Sequence, residues 1–298
     1  VAVTAGEGQP APQVVHRATV VGAGTMGSGI AQVLATAGIE VTLVDTAATQ
    51  LGRAEAAITR SLDRLLQRKT VTAGAVAETL ARIRFTPVLD AAAGADLLVE
   101  AVVEDLPAKQ RVLAAGAELF PDTSPLVSNT SSISITALAA AVGGPERVAG
   151  MHFFNPVPLM PLVEVVRGQH TSSETVRSIS ALAERLGKVP VVVNDFPGFV
   201  ANRILLPMLN EACFALMEGV ATREAIDSVM KLGMSHPMGP LELADFIGLD
   251  VCLHILEVLH RDLGDDKYRP CPLLRRMVAA GLLGRKSGAG FYAYDRPG

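Results

Sequence analysis

Apolar and β-branched residues crowd Ala18 to Gly22, ATVVG, and then open out to helical spacing at Met26, Ile30, Val33 and Leu34. Gly38 ends that helix, and Val41 to Val44 is a second short apolar run closed by Asp45. Strand, helix, strand in this order is the unit of a parallel sheet. Residues 47–82 keep a helical pattern, broken near Thr70 to Gly74 into two helices. This is longer than an ordinary crossover and predicts an arm off the sheet. Further strands are predicted at 84–86, 97–103, 125–128, 147–151, 163–166 and 189–193, with helices between several of them. Thr171 and Glu174 stand at capping-box spacing before SISALAERL, and Gly187 sits where a helix-ending glycine belongs.

The pattern changes at Asp195-Phe196-Pro197-Gly198. Beyond it strand signals cease, and 199–218, 222–232, 240–263 and 272–281 read as helices, with Pro237, Gly239 and Pro240 marking a loop. The expected organisation is a disordered tail over 1–15, an α/β domain over 16–197 with its helical arm at 47–82, and a smaller all-α domain over 198–298. The first residues, VAVTAGEGQPAPQ, lack the charged and apolar regions of a secretory signal and read as a frayed tail.

Composition narrows the function classes. With 49% hydrophobic and 19% charged residues the chain is globular in kind. The 26 Lys and Arg against 30 Asp and Glu give a net charge of -4 without a basic stripe, which argues against nucleic acid. No apolar run approaches the roughly 18 residues of a membrane helix, so no membrane partner is expected. Cys213, Cys252 and Cys271 form no CxxC and no even set, which argues against a disulfide framework and a thiolate metal site and fits a reducing cytoplasm. His254 and His260 do not share a helix face, and His16, His170 and His236 carry no assigned chemistry, so no metal is expected.

The candidate chemistry begins at Gly22-Ala23-Gly24-Thr25-Met26-Gly27, a G-x-G-x-x-G that follows a predicted strand and opens a helix. Gly22 permits the tight turn, Gly24 lets backbone approach a pyrophosphate, and Gly27 allows close helix–strand packing. The helix start, with Thr25 and Met26, offers N–H groups to phosphate. Asp45 stands where a carboxylate accepts hydrogen bonds from the adenosine ribose, and no arginine follows before Arg53, so NAD is expected over NADP. The predicted fold is a Rossmann-type, doubly wound, mostly parallel sheet followed by the all-α domain.

Two more polar clusters end predicted strands: Ser128-Asn129-Thr130-Ser131-Ser132 and His152-Phe153-Phe154-Asn155-Pro156. Ligands of open α/β sheets bind at the carboxyl ends of strands. Glu164 lies in the apolar run LVEVV, and a carboxylate there needs a partner, for which a histidine is a candidate. Oxidising an alcohol with NAD requires a base for the hydroxyl proton, a role that suits histidine, and a carboxylate on the other ring nitrogen would fix its tautomer.

These stretches resemble the L-3-hydroxyacyl-CoA dehydrogenases, including the bacterial 3-hydroxybutyryl-CoA dehydrogenases. The resemblance runs from VVGAGTMGSGIA through LVEAVVED, SNTSSI, MHFFNPVPLMPLVEVV, DFPGFVANRIL and KLGMSHPMGPLELADFIGLD to KSGAGFYAY. It implies that His152 is the general base, oriented by Glu164, that Ser131 bonds the reacting oxygen, and that Asn202 helps to place substrate. It further implies cofactor roles for Glu104, Lys109, Asn155 and Lys286, and closure of the two domains on substrate. On the arm it implies a coenzyme A site at Ser61 and Arg68, although Gln67 departs from the family's lysine-rich pattern. A homodimer formed through the C-terminal domain is implied too.

Plainer readings stand beside these. Ser131 and Asn202 are also suited to helix capping, Glu104 and Lys109 to a solvated ion pair, and the arm to an ordinary polar face. The expected reaction interconverts a (3S)-3-hydroxyacyl thioester and its 3-oxoacyl partner. The thinly basic arm keeps an acyl-carrier-protein substrate open as an alternative to acyl-CoA. Free hydroxy acids and a non-catalytic NAD-binding role are more distant alternatives.

Overall fold

The computed structural model describes residues 13–295, as a first unit ending at Asp195 and a second beginning at Phe196. Within the first unit, β1 (Arg17–Val21), α1 (Thr25–Thr36) and β2 (Glu40–Val44) form the opening βαβ. Next come α2 (Ala48–Gln67) and α3 (Ala73–Ala81), the two helices of the arm, and β3 (Ile83–Thr86). The chain continues through β4 (Leu97–Glu100), α4 (Leu106–Leu119), β5 (Leu126–Ser128), α5 (Ile135–Ala139) and β6 (Val148–Phe153). It closes with β7 (Leu162–Arg167), α6 (Ser173–Arg185) and β8 (Val189–Asn194).

All eight strands join one sheet in the order β3-β2-β1-β4-β5-β6-β7-β8. The first six run parallel, β7 is antiparallel to β6, and β8 is parallel to β7. The chain winds from β1 outward through β2 and β3, then crosses to β4 on the other side of β1. The switch point, where such sheets bind ligands, therefore lies between the carboxyl ends of β1 and β4. β4, β5 and β6 are buried along their whole length, which is why they read as continuous apolar runs and not as alternating ones.

The structure corrects several local expectations. The strand expected over 97–103 stops at Glu100, because the Val102 N–H turns back onto the Glu100 carboxylate at 2.6 Å. The helix after Thr171 is capped by Ser172, whose hydroxyl accepts from the Thr175 N–H. The Thr171 hydroxyl is turned into the sheet instead, donating to the Val148 carbonyl at 2.6 Å. Of the tail expected over 1–15, residues 1–12 lie outside the described residues, and Val15 is buried in the core of the first unit.

The second unit holds α7 (Ala201–Met217), α8 (Arg223–Gly233), α9 (Pro240–Ile247), α10 (Leu249–Leu263) and α11 (Pro272–Ala279). Its core gathers Leu206, Leu209, Leu241, Leu249 and Leu256 with all three cysteines, which are buried and free. The single helix expected over 240–263 is two, divided at Gly248, whose φ of 106° suits glycine and ends α9. Two buried carboxylates fasten this unit. Asp227 accepts from the Leu241 and Glu242 N–H groups at the start of α9, where Gly239 supplies no side-chain cap. Asp245 accepts from the N–H groups of Phe291 and Tyr292. Among the described residues no helix is long and apolar enough to cross a membrane.

Candidate active site

A cleft of about 760 Å³ opens at the switch point, with Gly22, Gly24, Asp45, Val103 and Arg111 among its lining residues. The three glycines do different work. Gly22 has a φ of 104°, and a side-chain carbon there would lie 2.5 Å from the Ala101 carbonyl oxygen. One at Gly27 would lie 1.8 Å from the Gly22 carbonyl oxygen, so α1 could not pack onto the loop. One at Gly24 would meet nothing within 4 Å, leaving its backbone open to a ligand. Thr25 begins α1 on the surface, while the Met26 side chain packs against the core. Asp45 spans the loop: one oxygen accepts from the Ala23 N–H and the other from the Ala47 N–H, both at 2.9 Å. A helix N-terminus, an open glycine backbone and a carboxylate at the end of β2 fit the pyrophosphate and ribose of NAD.

Next to the cleft lies a buried charge cluster. Lys109 on α4 is 1% exposed and Glu100 at the end of β4 is 0% exposed. The Lys109 ammonium donates to both oxygens of Glu100 at 2.9 and 3.0 Å, and lies 3.2 Å from Glu104 Oε2. The other oxygen of Glu104 accepts from the polar loop after β5: from Thr130 Oγ1 at 2.5 Å, the Ser131 N–H at 3.0 Å and the Ser132 N–H at 3.2 Å. Burial raises the Glu104 carboxyl pKa, but Lys109 and the donors from Thr130 and Ser131 outweigh it and leave it below the usual range. At Glu100 burial prevails over Lys109 and holds the pKa above that range. The Glu104–Lys109 pair, considered from the sequence as solvated, thus joins a buried ammonium to a half-buried carboxylate, and Lys109 faces carboxylates instead of the cleft. Helix capping falls to Ser134, which begins α5, and not to Ser131.

The third part is made by two neighbouring strands. The antiparallel register sets His152 of β6 directly opposite Glu164 of β7, and His152 Nδ1 lies 2.7 Å from Glu164 Oε2. The residues are 6% and 2% exposed. A carboxylate so buried requires a hydrogen-bonding partner, and here that partner is Nδ1 of His152. The adjoining Asn129, whose side chain accepts from the Phe153 N–H at 2.9 Å, ties the end of β6 to the loop carrying Ser131.

The remaining candidates are more scattered. Asn155 is exposed just past β6. Ser61 and Arg68 lie on and at the end of α2, two turns apart, the first half-buried and the second exposed. Asn202 is in the first turn of α7 and Lys286 pairs with Asp250 at 2.6 Å, both within the second unit. Sequence reasoning singled out neither Glu100 nor Gln50, and it named Asn129 only within the polar cluster after β5. Glu100 had a signal, being a carboxylate that ends an apolar strand as Glu164 sits within one. Gln50, which donates to the Ala23 carbonyl at 2.9 Å from the cleft wall, had none.

Comparison with known proteins places these parts in a family. Residues 17–196 match the NAD binding domain of 3-hydroxyacyl-CoA dehydrogenase, and residues 198–294 match its C-terminal domain. A probable 3-hydroxybutyryl-CoA dehydrogenase of Deinococcus radiodurans is 58% identical over 92% of this chain and 99% of its own. The 3-hydroxybutyryl-CoA dehydrogenase of Bradyrhizobium diazoefficiens is 50% identical over 94% of this chain and 96% of its own. The crystal structure of (S)-3-hydroxybutyryl-CoA dehydrogenase from Ralstonia eutropha has a TM-score of 0.91 at 47% identity, covering 95% of this chain and all of that one.

Proposed function

The chain belongs to the 3-hydroxyacyl-CoA dehydrogenase family, and from that premise we propose that it interconverts (3S)-3-hydroxyacyl-CoA and 3-oxoacyl-CoA, with NAD, on short acyl chains such as hydroxybutyryl. The observation that carries this reading is the His152–Glu164 pair, buried between β6 and β7 of the sheet whose switch point opens the nucleotide cleft. NAD, when bound, takes or returns the hydride of the substrate's C3.

Every other step belongs to the chain's own residues. Glu164 holds the Nδ1–H of His152, so Nε2 carries the lone pair that removes the hydroxyl proton. The carboxylate then stabilises the imidazolium that forms. In the reverse direction the imidazolium returns that proton to the ketone oxygen. Ser131 bonds the reacting oxygen from a loop secured by Glu104, and Asn202 helps to hold the thioester. Asn155, Glu104 and Lys286 support the nicotinamide half of NAD, while Lys109 acts through Glu104. Gly22, Gly24, Thr25, Met26 and Gly27 receive the pyrophosphate, with Asp45 on the ribose. Ser61 and Arg68 on the arm contact the coenzyme A portion. The relatives' names support the acyl-CoA substrate. The second unit supports homodimerisation through the apolar side chains it exposes, among them Val229, Leu232 and Met234.

The test is NADH consumption by the purified protein with acetoacetyl-CoA and, at equal concentration, acetoacetyl acyl carrier protein. Faster turnover of the CoA ester is expected. Turnover of the carrier-protein ester alone would keep the chemistry and replace the substrate. Activity on neither would overturn the substrate assignment.

A further inference from the structure

Among the described residues Glu100 is the most buried charge that the proposed chemistry leaves unused. Its carboxylate accepts from Lys109 Nζ through both oxygens, from Ser128 Oγ at 2.5 Å and from the Val102 N–H at 2.6 Å. Four donor contacts on a side chain with no exposure make an ion that cannot drift. Its backbone is equally constrained, since β4 pairs with β1 on one side and β5 on the other.

Glu104 has no such backbone support. It lies in the irregular connection between β4 and α4, yet its Oε1 gathers the donors of Thr130, Ser131 and Ser132. What ties Glu104 to the rigid sheet is the Lys109 ammonium, shared with Glu100. The three N–H bonds of that ammonium have acceptors on Glu100, on Glu104 and at the Val102 carbonyl, 3.3 Å away. A dehydrated ammonium is costly unless fully paired, so its place is set by the more rigid partner, and that partner is Glu100. The path runs from strand to carboxylate to ammonium to carboxylate to loop.

We propose that Glu100 is a positioning residue for the reaction: through Lys109 and Glu104 it sets where the Ser131 hydroxyl stands relative to the substrate oxygen. The inference rests on the reading that Ser131 bonds that oxygen. Glu100 itself touches neither substrate nor cofactor. Misplacing a catalytic hydroxyl by an ångström is enough to cost about 10²-fold in rate, and a neutral amide at position 100 loosens the ammonium without opening a cavity.

The experiment is a double-substitution cycle on the full chain, reading kcat with acetoacetyl-CoA and NADH affinity by fluorescence. Glu100→Gln is expected to lower kcat by about 10-fold to 10²-fold, a larger factor than the accompanying loss of NADH affinity through Glu104. Ser131→Ala lowers kcat by itself. In the Ser131→Ala background Glu100→Gln then adds less than about twofold, because the group it positions is gone. Equal losses in both backgrounds would overturn the inference while leaving the role of Ser131 intact. Full kcat in Ser131→Ala alone would overturn the reading of Ser131 and the inference with it. If Glu100→Gln does not fold, Glu100→Asp, which keeps the charge and withdraws it by one methylene, is read through the same cycle.

Discussion

A histidine and a glutamate facing each other across β6 and β7, both almost dehydrated, define the smallest scale at which the chemistry operates. In the proposed mechanism Glu164 fixes which ring nitrogen carries the proton, and thereby which one acts as base. His152→Gln removes the base while retaining a polar side chain, so kcat should fall by about 10²–10⁴. NADH binding, measured by fluorescence titration, should hold, since Gly22, Gly24 and Asp45 are untouched. Retained turnover would remove His152 from the mechanism. At this scale much of the site was legible: the glycine spacing, Asp45 and the pairing need of a carboxylate in LVEVV are local properties. The partner of Glu164 was named by the family resemblance and not by spacing, because twelve residues along a chain say nothing of distance until an antiparallel register is formed.

At the scale of elements the connection after β4 matters most. Its Glu104 binds the loop after β5 and keeps its carboxyl pKa below the usual value of 4.5. A carboxyl held low stabilises the folded state fully above that value, and the contribution fades as pH falls through the lower, folded pKa. Glu104→Gln should therefore lower Tm by about 3–6 °C near neutral pH. The gap between the variant and the unaltered protein should narrow as the pH is taken below 4.5. A gap that does not change with pH would show that the carboxylate charge is not what holds the loop. Elements also mark where pattern reading failed. Phe246, Ile247 and Leu249 continue the apolar pattern straight through Gly248, so the periodicity runs on and that glycine is the local mark of the break between α9 and α10. Thr171 and Ser172 are equally good caps by type, and the choice fell to Ser172 because the Val148 carbonyl claims the Thr171 hydroxyl.

At the scale of the whole molecule, the first unit has a core against its sheet and the second has a core among its own helices. The second leaves Val229 and Leu232 of α8 exposed at neighbouring turns of one face. If that face joins two copies, sedimentation should give twice 31.1 kDa, and the pair Val229→Glu with Leu232→Glu should give the monomer. A dimer that survives both charges would move the interface elsewhere, and a monomeric parent would end the proposal.

The sequence alone determined the class of fold, the nucleotide loop and the NAD cofactor. Each rests on periodicity or on residues a few positions apart, which the backbone brings together by itself. Tertiary structure decided what depends on neighbours in the sheet. The antiparallel turn of β7 joins Glu164 to His152, and the adjacency of β4 and β5 joins Glu100 to Ser128. The burial of Lys109 turns two carboxylates into one cluster. The hydrogen bonds of such a cluster strengthen where water is largely excluded, and no single segment excludes water from itself.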